Sequence, residues 1–241
     1  MKKRIIALLM VFAVSLACQA LVPPTVVARE GTVISDCAAK VRAVIEIQPT
    51  KIPQALLETG IKQGDEFNAN DYFKVLTHIS MQEGYSLDYV YQPPYASMED
   101  VPENTELGNY RDRLEIEDME QGYFEYAVMD MLAGQFYLVW HANYNDREIV
   151  CDREAADAII DGINSGDFGY KLDAKQKAQV CAMTNIEPAV TLTQDSAIVE
   201  VVTFTKWGGF FRQTYTISRS FPHTIEMEEE NLVEYDCGIM F

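Results

Sequence analysis

The chain has 241 residues, of which 48% are hydrophobic, 11% aromatic and 23% charged. That content excludes a collagen-like, mucin-like or wholly disordered protein, because such chains lack the apolar groups that build a core. With 19 Lys and Arg against 37 Asp and Glu, the formal charge of −18 also argues against a nucleic-acid binder, which needs clustered cations.

Lys2, Lys3 and Arg4 open the chain, and a charge-free apolar stretch follows from Ile5 to Ala17. Its length is that of a secretory h-region and falls short of the ~20 residues a helix needs to span ~30 Å of hydrocarbon. A helix with three leading cations and no polar face fits a soluble core poorly, so export is the expectation. Two processing routes are open. Cleavage after Ala20 makes residues 1–20 a signal peptide, with the small residues Cys18 and Ala20 at the positions a peptidase reads. Alternatively, Ser15-Leu16-Ala17-Cys18 resembles a relaxed bacterial lipobox, which implies a lipoprotein signal over 1–17 and an acylated Cys18. That lipid is the one membrane attachment expected. Losing residues 1–20, with three cations and no acid, takes the charge from −18 to −21.

Residues 21–36 contain Pro23-Pro24 and read as a tether, and residues 37–241 as one α+β domain. From Lys40 to Ile47 the apolar Val41, Ala43, Ile45 and Ile47 alternate with Lys40, Arg42 and Glu46, which predicts a half-buried strand. Asn68-Ala69-Asn70-Asp71 supplies capping chemistry for a helix carrying Tyr72, Val75, Leu76 and Ile79 and stopping at Gly84. Leu87, Tyr89 and Tyr91 alternate as a second strand. Pro93-Pro94 breaks it, and a loop is expected to about Tyr110. A short strand at Leu114 and Ile116 leads to a helix from Gln121 to Leu132 that buries Phe124, Ala127, Val128 and Met131.

Phe136 to His141 reads as a strand and Asn143 to Asp146 as a turn. Glu148 to Cys151 then returns as the strand's partner. Asp152 caps a helix with Ala156, Ile159, Ile160 and Ile163 at helical spacing, closed by Gly166. Asp173 and Gln176 make a capping box for the next helix, running to about Asn185. Ala189–Thr193, Ser196–Lys206 and Phe210–Ser218 form a β-meander, reversing at Asp195 and at Trp207-Gly208-Gly209. Ser196–Lys206 is apolar on both faces near its middle, as a central strand packed by helices would be. A last short strand falls near Leu232–Tyr235. The fold class is therefore α+β, a mainly antiparallel sheet packed by three to four helices; this element order suits a curved, cone-like sheet.

After export, Cys37, Cys151, Cys181 and Cys237 remain, an even number bound for a compartment where disulfides persist. Four cysteines allow three pairings. Two helices joined by a short loop lie antiparallel, which favours Cys151–Cys181 and leaves Cys37–Cys237. The acids concentrate in two runs, eleven within residues 99–130 and six within 226–236. Neither has calcium-loop spacing, and both read as solvated faces.

Chemistry-bearing patterns are sparse. There is no His pair at zinc spacing, nucleophile elbow, Walker loop or dinucleotide fingerprint, so no catalytic residue, metal or cofactor is assigned. His78 reads as a packing residue on the first helix. His223 follows Pro222 and precedes the second acidic run. His141, Asn143, Asn145 and Asp146 form the most polar strand-end constellation and are the candidate polar site. Trp207, Phe210 and Phe211 crowd a hairpin tip, where aromatics suit glycan or peptide contact. The expected role is a non-enzymatic envelope or secreted binding module for a protein, glycan or small ligand. The alternatives are a hydrolase working near His141 and a small-molecule cavity protein.

Overall fold

In the computed structural model, residues 31–64, 66–92, 95–102, 108–137, 147–166 and 169–238 are described. The elements are β1 (Thr32–Val33), α1 (Cys37–Ile47), α2 (Gln54–Thr59), β2 (Ile79–Met81), β3 (Tyr85–Gln92) and β4 (Tyr95–Pro102). Then come β5 (Leu114–Ile116), α3 (Glu120–Leu132), β6 (Glu148–Val150), α4 (Arg153–Ser165) and α5 (Ala174–Ala182). The chain closes with β7 (Ala189–Leu192), β8 (Ser196–Thr205), β9 (Gly209–Ser218) and β10 (Ile225–Glu234). The fold is α+β with antiparallel strand pairing throughout.

The main sheet runs β1-β7-β8-β9-β10, with β6 also on β8. Strands β7 and β6 share one edge of β8 end to end: Ala189 pairs with Glu200, and Glu148 with Phe204. Because side chains alternate across a strand, β8 feeds two cores. Ala197, Val199 and Val201 join α1, α3 and the β3–β4 hairpin in one cluster, whereas Val202 and Phe204 join α4 and α5 in the other. The double-faced pattern read from the sequence is thus that of a strand covered on both sides.

Helix α3 is buried almost all round, from Gly122 to Leu132. One of its buried groups is charged. Glu125 is fully buried and takes the Lys40 ammonium at 2.6 Å, the His78 backbone N–H at 2.8 Å and His78 Nδ1 at 3.0 Å. A buried carboxylate is tolerable only with such partners, and these tie α3 to α1 and to the turn before β2.

Several expectations are corrected. Residues 40–47 lie in α1, not in a strand. Cys37, Val41 and Val44 face the core at helical spacing and Ile45 is exposed, so the alternation was accidental. The expected helix after Asn68 is a 3-10 turn over Ala69–Lys74 followed by β2, although Asn68 does cap it by accepting from Asn70 N–H. The expected loop from Pro93 contains β4, which pairs with β3 in a ladder from Tyr85↔Pro102 to Gln92↔Tyr95. Within residues 136–141, Phe136 and Tyr137 are not in a strand, while Leu138 to His141 lie outside the described residues. The last strand is ten residues long, so much of the acidic run 226–236 is edge strand. Val33, at the end of the expected tether, pairs with Ala189 in the sheet.

The disulfide pairing is also corrected: Cys37 bonds Cys151, with Cα atoms 5.6 Å apart. Cys151 is taken by Cys37 and Cys237 is a buried free thiol, so neither Cys151–Cys181 nor Cys37–Cys237 forms. The helix argument failed because Cys151 belongs to the α1–α3 core, while α5 packs on the other face of the sheet.

The Cys37–Cys151 bridge spans 114 residues of sequence, and a cross-link of that reach typically stabilises by about 2–4 kcal/mol. Cys37→Ser is expected to lower the unfolding free energy by that amount in urea titrations. A loss under about 1 kcal/mol would contradict the role of the bridge as a staple between α1 and the start of α4.

Candidate functional site

Helix α4 begins where Asp152 accepts the Ala155 backbone N–H, satisfying one of the unpaired donors of the first turn. Arg153, its first residue, donates to the carbonyls of Val180 (2.7 Å) and Met183 at the end of α5. A cation there complements the negative end of the helix dipole, and the bond fixes α4 against α5.

The apolar stripe of α4 does not settle fully onto the sheet. Ala156 is buried, but Ile159, Ile160 and Ile163 are only partly so. Between them and the strands runs a groove of about 760 Å3, walled by Ile159, Gly162 and Ile163 on the helix and by Phe204, Tyr235 and Cys237 on the sheet side. Gly162 borders it with room to spare: a Cβ added there would meet no atom within 4 Å.

Glu148 and Lys206 stand at the rim. They also line a second cleft of about 430 Å3 bounded by Ile45, Gln48 and Tyr137, so one pair of opposite charges borders both cavities. Crowding by these walls dehydrates the Glu148 carboxyl, which solvent still reaches, and pushes its pKa up; the Lys206 ammonium pulls it back.

The Glu125 cluster has the look of an acid–base site and lacks its geometry. Glu125 holds His78 by Nδ1, as a carboxylate orients a catalytic imidazole. Yet Thr77 Oγ1, the nearby hydroxyl, lies 3.4 Å from that same nitrogen, and a nucleophile has to face the other one. Burial pushes the Glu125 carboxyl up, but hydrogen bonds from Lys40 and His78 outweigh it and hold the group below its ordinary value. The cluster is a structural pin.

The residues singled out by sequence fare differently. His141, Asn143, Asn145 and Asp146 lie outside the described residues, as does Cys18. Phe210 is 0% exposed and packs on Phe204 at 4.9 Å between ring centroids, so it is core, contrary to the expectation of a contact face. Trp207 is partly buried against the same cluster, and Phe211 is half-buried. The tip carries no exposed aromatic trio, because the strands leaving it fold into the α4–α5 core. Sequence reasoning found the α4 stripe but missed the groove beneath it, Glu148 and Glu125. Two glycines beside the apolar stripe, Gly162 within α4 and Gly166 at its C-cap, were the available signal.

Among the described residues, no three His, Cys, Asp or Glu side chains gather as a metal-binding group, and no helix is long and apolar enough to cross a membrane. No protein-family model, curated protein or solved structure matches this chain.

The two glutamates have opposite pH signatures. Glu125, held below its ordinary value, contributes stability in full above pH 4.5 and loses it as pH falls through the depressed value. Glu148, held above, contributes below pH 4.5 and loses that contribution as pH rises through the raised value. In thermal melts near neutral pH, Glu148→Gln should therefore melt above the parent, and the two should converge at about pH 4. Glu125→Gln should lose about 3 kcal/mol near neutral pH, since Lys40 is left without its partner, and the gap should narrow on acidification. A Glu148→Gln protein that melts below the parent near neutral pH contradicts the dehydration of that carboxyl.

Proposed function

We propose that the protein is an exported, non-enzymatic binding module that carries a small amphiphile in the groove between α4 and the sheet. The groove carries the reading. Its volume of about 760 Å3 lies in the ~300–1,000 Å3 range of small-molecule sites, and such sites are mostly apolar with a few placed polar groups. Isoleucines and Phe204 offer the apolar body its walls. Glu148 and Lys206 offer a polar end both a carboxylate and an ammonium at the rim. This chemistry fits a ligand with one greasy and one hydrogen-bonding end better than a protein surface. Export rests on the basic and apolar start of the chain, and the Cys37–Cys151 disulfide is compatible with an oxidising destination.

The test titrates the purified protein with an environment-sensitive anilinonaphthalene dye and displaces it with dodecanoate. Gly162→Phe fills the groove from a position with room for a side chain, and replacing a mid-helix glycine relieves a cost of up to ~1 kcal/mol. Saturable one-to-one binding is expected in the parent. The variant should lose at least ~10-fold in affinity, about 1.4 kcal/mol, while melting no lower. Equal binding by a folded Gly162→Phe protein would overturn the groove as the site. Export is read from the mass of the N-terminal peptide of protein recovered from cells: a chain still beginning at Met1 refutes it, and one beginning at Leu21 or at an acylated Cys18 supports it.

A further inference from the structure

On the opposite face of the sheet, where the end of α3 meets β9 and β10, lies a cavity of about 320 Å3 of different character. Arg111, Asp130, Arg147, Gln213 and Tyr215 line it, with Met131 and Met227 as apolar walls. Gln213 is the anomaly. It is 1% exposed on a strand face otherwise occupied by Tyr215 and Ile217, and a buried amide is costly unless bonded. Its Nε2 donates to Glu229 Oε2 at 2.9 Å, and its Oε1 lies 3.4 Å from the Tyr215 hydroxyl.

That hydroxyl also lies 3.2 Å from Asp130 Oδ2, whose other oxygen meets Arg111 Nε at 2.6 Å. At the other end, Arg147 donates to the Glu229 oxygen that Gln213 uses, at 2.6 Å. The polar groups therefore line up as Arg111–Asp130–Tyr215–Gln213–Glu229–Arg147, with a guanidinium at each end and the single Tyr215 proton shared between Asp130 and Gln213. Burial pushes the Tyr215 pKa up, so the phenol stays a neutral donor. A guanidinium has five N–H donors, and the Arg111 and Arg147 side chains are 47% and 29% exposed, so both remain reachable from the cavity.

From this we infer that the cavity binds a zwitterion, an aliphatic α-amino acid: its carboxylate on the Arg147 fork, its ammonium at Asp130, and its side chain against Met131 and Met227. Charge chooses this class over a simple anion. Two cations and two carboxylates already make the chain neutral, so a net anion would leave a charge unpaired in a protein of formal charge −18. A zwitterion adds none, and it supplies both an acceptor for the fork and a donor for the carboxylate. The site is independent of the α4 groove.

The experiment is calorimetric titration of the intact protein with L-leucine, with 4-methylpentanoate (no ammonium) and with 3-methylbutylamine (no carboxylate). Saturable leucine binding is expected, with each half-molecule at least ~10-fold weaker, about 1.4 kcal/mol. Arg147→Gln, checked for folding by circular dichroism, should weaken leucine by a similar factor, and Arg147→Lys should not restore it, because the ammonium has no planar fork. Gly162→Phe should leave leucine binding unchanged, which separates failure here from failure of the groove. Absence of leucine binding, equal binding of 4-methylpentanoate, or unchanged affinity in a folded Arg147→Gln protein would each overturn the proposal.

Discussion

Strand β8 is apolar on both faces, and the rest of the architecture follows from the need to cover it twice. Burying one Val or Phe side chain is worth ~1.5–3 kcal/mol, so leaving Val199 and Val201, or Val202 and Phe204, open to water would remove much of a domain's marginal stability. One face is covered by α1, α3 and the β3–β4 hairpin, and the other by α4 and α5. Antiparallel neighbours on both edges then satisfy the β8 backbone, with β9 along one side and β7 and β6 end to end along the other. The Cys37–Cys151 bond belongs to the same logic: it holds α1, on the first face, to the end of the strand that leads to α4 on the second.

Charge is placed by the same constraint. Among the described residues, strand β10 has one neighbour, β9, which makes it an edge strand. Its acids Glu226, Glu228 and Glu234 are exposed, while Glu229 pairs with Arg147 and Glu230 with Arg212. An acidic run that reads as mere solubility in the sequence is thus mostly strand, with two of its acids held in ion pairs. Glu125 is the opposite case, a charge placed inside because two separate segments, α1 and the turn before β2, bring donors to it. Removing it would leave the His78 backbone N–H without its acceptor and Lys40, which also donates to the Val75 carbonyl, without its counter-charge.

What could be read from sequence was what local chemistry decides. The caps at Asp152 and Asp173, the reversals at Asp195 and Trp207-Gly208-Gly209, and the two-faced β8 each depend on neighbours a few residues away, and each is present. Where two local readings competed, tertiary packing chose. Residues 40–47 carry both a period of two and a helical Cys37-Val41-Val44 spacing, and α3 needed a helix beside it. The acids and prolines that flank β4 hid a strand whose pairing with β3 supplies what its own composition does not. Nonlocal facts were out of reach: which cysteine meets Cys151, what satisfies Glu125, and how far α4 stands from the sheet. The groove was half legible, since its isoleucine stripe was apparent but its depth is set by the strands opposite.

The two cavities meet at one peptide unit. Arg147 lines the polar cavity and Glu148 borders the apolar groove, as consecutive residues entering a strand send their side chains to opposite faces. So short a path invites the idea that filling one site alters the other, but proximity is not coupling. A ligand shifts an equilibrium only by binding two arrangements unequally, and the segment joining the proposed sites is held by a ladder and a disulfide. Strand β6 is laddered to β8 over Glu148–Val150, with Val150 fully buried, and Cys151 after it is covalently held to α1. Shifting Glu148 along the strand would break that ladder and strain the bridge together. The geometry therefore sets the two proposed sites on either side of one laddered and cross-linked strand.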